Sequence, residues 1–282
     1  MAASEQARTD GHPTHAFPVG HTPEDIPMMR LLAASTLFVL ALPLQAQETR
    51  FARTLESGDR LEIRNVNGPV RVTQASGSQA EVIVTKRVKR GNGELVKAIL
   101  EEERGVMRVC TIYLNQDPNR TTCEGRNSIS QRRGDDVEVE MRYEVRVPKG
   151  VQLDGKTING GLMVEGVDTP ARLVTVNGSI SFDGVGAHDM ETVNGAIEAR
   201  FTRAEWSGAV RLKTVNGAVT LSLPEGTDLT LEGRTMNGGI NSDFPITMQG
   251  RWGPRSFRGT IGRGGRELQI ETINGGVNIR KL

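Results

Sequence analysis

The chain has 282 residues, with 35 Lys and Arg against 34 Asp and Glu, 33 glycines and an aromatic content of only 4%. A net charge of +1 gives no general attraction to nucleic acid or anionic lipid. The glycine-rich, aromatic-poor composition suits a thin, tightly cornered β structure better than a large globular core.

Residues 1–27 carry four prolines and three histidines (His12, His15, His21) with no hydrophobic period. They read as a misplaced start or a disordered extension, with Met28 or Met29 as the true beginning. Residues 28–46 have the form of a secretory signal peptide: Met28-Met29-Arg30, an apolar run from Leu31 to Leu42, then Pro43-Leu44-Gln45-Ala46. The run is too short for a membrane span, and cleavage is expected after Ala46. The expectation is therefore an exported protein, periplasmic, surface-bound or secreted, whose residues 47–282 form a single domain without a membrane span.

Residues 73–150 differ in texture from the C-terminal half of the chain. Ala80 to Lys86 alternates as a strand, Glu94 to Glu103 reads as a short helix or another strand, and Val106 to Leu114 reads as a strand. Asn115 to Asp136 is polar and loop-like. Val137, Val139, Met141, Tyr143, Val145 and Val147 then alternate with charged or polar neighbours up to Pro148. Cys110 and Cys123 lie in this block, and in an oxidising compartment a disulfide between them is expected. The block is expected to cap an otherwise open sheet end.

A repeat dominates the remainder. Asn-Gly preceded by an apolar residue recurs seven times, at Asn67-Gly68, Asn159-Gly160, Asn177-Gly178, Asn194-Gly195, Asn216-Gly217, Asn237-Gly238 and Asn274-Gly275, and six copies carry Thr two residues before the Asn. Successive asparagines are 92, 18, 17, 22, 21 and 37 residues apart, so a unit has 17 to 22 residues and the 37 reads as a doubled or inserted turn. Inward positions alternate on both sides of the corner: Leu173, Met190, Leu212 and Ile270 four before the Asn, and Val70, Leu162, Ile180, Ile197, Val219, Ile240 and Val277 three after it. Asn tolerates the left-handed backbone region and Gly enters it freely, so each pair reads as a sharp corner.

Two all-β architectures use such corners. One is a β-solenoid whose coils stack Asn on Asn; the other is an antiparallel meander with Asn-Gly as hairpin turns. The near-constant period and fixed corner favour the solenoid. The meander would also leave the apolar residue before each Asn facing solvent.

A β block ending in Tyr-Glu-Val-Arg-Val-Pro-Lys-Gly-Val (143–151), serial Thr-Val-Asn-Gly units and a closing Leu-Gln-Ile-Glu-Thr-Ile-Asn-Gly-Gly-Val-Asn-Ile-Arg (268–280) resembles the bacterial putative-adhesin domain family of unknown function, over roughly residues 50–282. The resemblance implies an exported β-solenoid at the cell envelope and brings no catalytic residues with it. The Cys110–Cys123 pair and the Gly-rich insert 244–267 depart from the plainest form of that pattern.

Candidates for chemistry are sparse. After the expected cleavage one histidine remains, His188, read as an exposed loop residue, so neither a zinc cluster nor a Ser-His arrangement is expected. Asp168, Asp183, Asp189, Glu191, Glu198 and Glu205 sit at different offsets from the repeat corner and read as solvated charge rather than a glycosidase pair. Thr157, Thr175, Thr192, Thr214, Thr235 and Thr272 share the face of the apolar residues, which indicates a buried ladder rather than an ice-binding array. Arg133-Gly134-Asp135 reads as a chance tripeptide. Gly262-Arg263-Gly264-Gly265 lacks the flanking strand and helix of a phosphate loop.

No cofactor or metal is expected. The expected partner is an envelope glycan or protein, met by outward residues such as Lys156, Lys213, Arg234, Glu198 and Asn241. Two readings of another class stand beside it: a carbohydrate-active enzyme on the same scaffold, and a periplasmic structural or signalling module.

Overall fold

The computed structural model describes residues 47–115, 117–124, 137–186, 189–206, 208–249 and 255–282. The expected signal peptide 28–46, the preceding 1–27, His188 and Arg133-Gly134-Asp135 lie outside the described residues.

The chain opens with β1 (Gln47–Thr54), β2 (Arg60–Arg64), β3 (Val70–Gln74) and β4 (Gln79–Arg90), followed by a 3₁₀ turn at Gly93–Leu95. It continues with β5 (Val96–Glu103), β6 (Val106–Tyr113), β7 (Glu138–Val147), β8 (Gln152–Lys156) and β9 (Leu162–Val167). Next come β10 (Ala171–Val174), β11 (Ile180–Gly184), β12 (Asp189–Asn194), β13 (Ile197–Phe201), β14 (Ala209–Asn216) and β15 (Val219–Leu223). The last are β16 (Leu229–Thr235), β17 (Ile240–Ser242), β18 (Thr247–Gln249), β19 (Arg255–Ile261), β20 (Arg266–Asn274) and β21 (Val277–Lys281).

These strands form two sheets, ordered β1-β4-β7-β3-β9-β11-β13-β15-β21-β17 and β18-β19-β16-β20-β14-β12-β10-β8-β2-β6-β5. At each of the seven repeat corners the chain leaves the second sheet and enters the first, as from β12 to β13. The strands flanking a corner never pair with each other. Each pairs in parallel with its equivalents in the coils above and below, Leu173 opposite Met190 and Met190 opposite Leu212. The solenoid expectation is thus met, and the hairpin meander is excluded.

The inward positions named from the sequence build the core. Leu173, Met190, Leu212, Ile180, Ile197 and Val219 are each at most 1% exposed. A coil of about twenty residues contributes only a few such side chains, each worth roughly 1.5–3 kcal/mol on burial. That is too little to offset the ordering of its own backbone, so the coils must fold together.

The cap is itself solenoidal in part. β6 lies parallel to β2 and β7 lies parallel to β3, so β6 and β7 make one more coil without an Asn-Gly corner. The antiparallel strands β5 and β4, with β1 outside β4, close the sheet ends. The segment Glu94 to Glu103, read as helix or strand, is the 3₁₀ turn followed by β5.

Residues 114–137 separate β6 from β7 where a corner would otherwise stand, and the disulfide Cys110–Cys123 ties Cys123 to the buried strand β6 with Cα atoms 5.8 Å apart. The Cys110→Ser/Cys123→Ser chain is expected to lose about 3 kcal/mol of stability on the chain-entropy account. A lower urea midpoint, matched by reducing the unsubstituted protein, is the check.

The order of coils in space departs from their order in sequence. β20 pairs with both β14 and β16, and β21 with both β15 and β17, so the C-terminal coil lies between the Asn216 and Asn237 coils. The 37-residue interval is therefore a hairpin excursion (β18 and β19) followed by an inserted return. Arg280 and Lys281 belong to β21, which has β15 on one side. The short β17 forms the edge beyond it.

Candidate functional site

Stacking the coils turns the seven Asn-Gly corners into one continuous edge. Nδ2 of each asparagine donates to Oδ1 of the one before it in the stack: Asn159 to Asn67 at 2.7 Å, then Asn177 to Asn159, Asn194 to Asn177, Asn216 to Asn194, Asn274 to Asn216 and Asn237 to Asn274, each at 2.8 Å. The seven amides are aligned head to tail. At the cap end Asn67 Nδ2 donates to the Tyr113 hydroxyl at 3.2 Å. Burial pushes that phenol up to about 12, partly opposed by its bond with Asn67, so it stays protonated at neutral pH.

Behind the amides runs a second ladder. The Thr175, Thr192, Thr214, Thr272 and Thr235 hydroxyls donate to the Gly160, Gly178, Gly195, Gly217 and Gly275 carbonyls at 2.8–3.0 Å, with Thr157 to Gly68 longer at 3.5 Å. All six threonines are at most 3% exposed. They are a structural device, as their inward parity indicates. The first coil has Asn65 in this position, and its amide donates to the Gly68 and Met141 carbonyls.

The corner glycines are required for a reason other than the expected left-handed turn. Only Gly68 has the positive φ of such a corner, at 122°. At Gly160, Gly178, Gly195, Gly217, Gly238 and Gly275 the constraint is close approach, because a Cβ would overlap the carbonyl oxygen of the glycine in the adjoining coil.

The outer surface of this edge is arranged in rows. The residue before each Asn is apolar and outward: Ile158 is 36% exposed, Val176 38%, Val193 39%, Ile273 40% and Met236 50%, with Val215 half-buried. At the cap end the equivalent Val66 is only 1% exposed. Two residues beyond the Asn in the six coils past the Asn67 coil stand Gly161, Ser179, Ala196, Ala218, Gly276 and Gly239, all small. The apolar row, the amide ladder, the glycines and the small row form a smooth, uncharged strip. Six coils at the spacing of parallel strands make it about 24 Å long.

This strip is the surface feature that sequence reasoning missed. A solvent-facing apolar residue before each Asn counts against hairpins, yet the solenoid exposes it too. The available signal is parity: four before the Asn is inward, two before is the buried Thr, so the residue immediately before must face out.

The outward residues named from the sequence do not form one surface. Lys156, Lys213 and Arg234 lie on the second sheet, Glu198 and Asn241 on the first. Lys156 lies 3.7 Å from Asp154, Arg234 pairs with Glu271 at 3.0 Å, and Asn241 Nδ2 donates to Asn278 at 3.1 Å.

The candidate carboxylates are dispersed likewise. Asp183 and Glu198 are on the first sheet, with Asp183 beside Arg200, while Asp189 and Glu191 are on the second, with Asp189 between Arg172 and Arg211. At the opposite edge of the coils Asp168 accepts from Lys149 at 2.9 Å and Arg203 at 3.3 Å, and Arg203 also lies 3.5 Å from Glu205. The Lys149 ammonium, and less strongly the Arg203 guanidinium, hold the Asp168 carboxyl below the usual aspartate range. Lys149, Asp168 and Glu205 line an open cleft of about 550 Å³ walled also by Pro170, Val185 and Trp206, with Trp206 packed on Phe201 at 4.9 Å between ring centroids.

Gly262-Arg263-Gly264-Gly265 is the turn between β19 and β20, a strand on each side, with Arg263 bound to Asp228 at 2.8 Å. Among the described residues no group of His, Cys, Asp or Glu could hold a metal ion, and no helix is long and apolar enough to cross a membrane.

No curated protein matches the chain. Among solved structures it is similar to a "putative cell adhesion protein" from Clostridium sporogenes ATCC 15579, with 9% identity, 84% of this chain and 100% of that one covered and a TM-score of 0.43. It is similar also to a "putative adhesin" from Bacteroides fragilis NCTC 9343, with 7% identity, 84% and 97% covered and a TM-score of 0.36. The Toastrack DUF4097 model matches residues 59–280. With that match covering most of its length and a stacked, Asn-cornered solenoid beneath it, the chain belongs to the Toastrack DUF4097 family, whose function is unknown.

Proposed function

We propose that this protein is exported by the signal peptide 28–46 and acts at the cell envelope without catalysis, as an adhesive protein that makes contact through its corner strip. The observation that carries the reading is the row Ile158, Val176, Val193, Val215, Ile273 and Met236, outward in all six coils beyond the Asn67 coil. Six aliphatic side chains in line are costly to leave in water and contribute little to the fold. Many weak contacts repeated along a rigid edge give binding without a deep pocket. Aliphatic and small residues suit a protein surface better than a sugar, which would call for an aromatic platform. The disulfide Cys110–Cys123 supports an oxidising location. The dispersal of the carboxylates over two sheets and into ion pairs supports a non-enzymatic role over a carbohydrate-active enzyme.

The test is retention of the purified protein on envelopes from its own host. Val176→Asp and Val193→Asp are each expected to reduce retention at least about 10-fold, because each places a charge in the middle of the apolar row. Met163→Asp, on the outer face of the first sheet, should leave retention unchanged. Equal retention of all three variants would refute the strip as the contact surface.

A further inference from the structure

We infer that the partner of the corner strip is the same strip of a second copy of this chain, joined by a two-fold axis that crosses the edge between the Asn194 and Asn216 coils. This rests on the reading of the strip as a contact surface and names its occupant.

Periodicity favours a second copy. The strip repeats once per coil, so a rigid partner can meet every row only if it repeats at the same interval. A second copy does so by construction. With the axis lying across the strip the two stacks run antiparallel, and like rows face each other: apolar on apolar, amide on amide, small on small. Val193 then meets Val215 of the second copy, Val176 meets Ile273, and Ile158 meets Met236. The glycine and small rows let the backbones approach closely. Each ladder amide makes one bond within the ladder through Nδ2, which leaves its second N–H for the facing copy.

Charge fixes the position of the axis. The row beside the apolar residues reads, in stacking order, Lys156, Val174, Glu191, Lys213, Glu271, Arg234. The axis superposes the two central positions crosswise, bringing Glu191 of each copy to Lys213 of the other. Within one chain these two residues are direct cross-strand partners in β12 and β14, yet neither enters an ion pair among the described residues. The end residues Lys156 and Arg234, which the axis brings to like charge, are already held by Asp154 and Glu271 of their own chain. The strip thus keeps its unpaired opposite charges where the axis can use them. At the cap end, where the axis requires no partner, Val66 is covered by the chain itself.

Sedimentation velocity on the full chain reads the association directly. The unsubstituted protein is expected to sediment as a dimer at tens of micromolar, and Val193→Asp as a monomer with its thermal melt retained. Glu191→Lys and Lys213→Glu should each weaken the dimer about 10-fold when studied alone, since each faces like charge across the axis. Mixed in equal amounts they should form a heterodimer at least as tight as the unsubstituted homodimer, because both crossed pairs are then opposite in sign; a merely structural role for either residue would not produce this.

A monomer at the highest attainable concentration overturns the inference, as does a dimer indifferent to Val193→Asp or a mixture no tighter than its components. Envelopes from a host lacking this chain separate the two claims. If they still retain the protein and Val193→Asp abolishes that retention, the strip remains a contact surface and the self-partner is refuted. If retention is lost together with the chain, the second copy is the partner.

Discussion

Gly195→Val is expected to be among the most damaging single substitutions in the array, lowering stability by about 4 kcal/mol or more. The cause is steric and involves backbone on both sides. A Cβ at position 195 would overlap the carbonyl oxygen of Gly178 and lie 2.9 Å from the Ser179 nitrogen. The corner cannot retreat, because Gly195 N donates to Asn216 O at 3.0 Å on the other side and Asn194 N to Val176 O at 2.8 Å. Relief requires separating the Asn177 and Asn194 coils, which breaks their rung of the amide ladder and the Thr192 bond to the Gly178 carbonyl together.

A control separates this from backbone conformation. Gly226 has φ +76°, and a methyl added there would meet nothing within 4 Å, so Gly226→Ala should cost only the about 1–2 kcal/mol of a left-handed non-glycine residue. Gly238→Ala should fall between, since its coil ends the stack and pairs through only three residues of β17. Urea unfolding of the three variants gives the ranking. Should Gly226→Ala prove as costly as Gly195→Val, close stacking is not what selects glycine at these corners.

That control bears on how the fold could be read from the sequence. The alternation on either side of each Asn places Leu173, Ile180 and Phe182 inside and the six threonines with them, because period two leaves no other choice. The repeat interval defines the coil. What glycine does at the corner was not legible. A residue that admits φ > 0 and a residue that admits a backbone at contact distance are the same letter, and only Gly68 serves the first purpose.

The site was half legible. Val176 and Val193 stand at outward parity in the sequence, but whether outward apolar residues line up as one row depends on the stacking register. The equivalence of the coils that reveals the solenoid also conceals their order: Thr214 and Thr272, or Leu212 and Ile270, are interchangeable as neighbours, so nothing local says that the Asn274 coil precedes the Asn237 coil in space. The pairing of Glu191 with Lys213 depends on the same register. Their separation in sequence alone does not make them cross-strand partners; the parallel pairing of β12 with β14 does.

The inserted C-terminal coil leads to the second large effect. Deleting residues 266–282 should remove the cooperative unfolding of the whole distal half, whereas deleting β1 should trim one edge and leave the rest intact. β20 is hydrogen-bonded along seven residues to each of β14 and β16, from Ala209–Glu267 to Asn216–Asn274 on one side and Leu229–Arg266 to Thr235–Thr272 on the other. Without it those strands face each other across two strand spacings, about 10 Å, too far to pair. The Gly217 carbonyl loses the Thr272 hydroxyl, Asn216 loses its amide donor from Asn274, and buried Leu212 and Leu231 lose Ile270 and Leu268 as neighbours in register. Closing the gap would demand that the Asn237 coil move down by a full coil, and the hairpin of β18 and β19 is tied to β16, so it would have to move too.

Hydrogen exchange resolves the consequence strand by strand. Protection should vanish in β14 to β19 of the truncated chain and persist in β2, β3, β8 and β9. A synthetic peptide of residues 266–282 added in excess should restore it, because the vacated slot presents two complete strand edges to be paired. A truncated chain that keeps full protection in β16 would mean that the distal lobe holds together without the inserted coil, contrary to the pairing of β16 with β20.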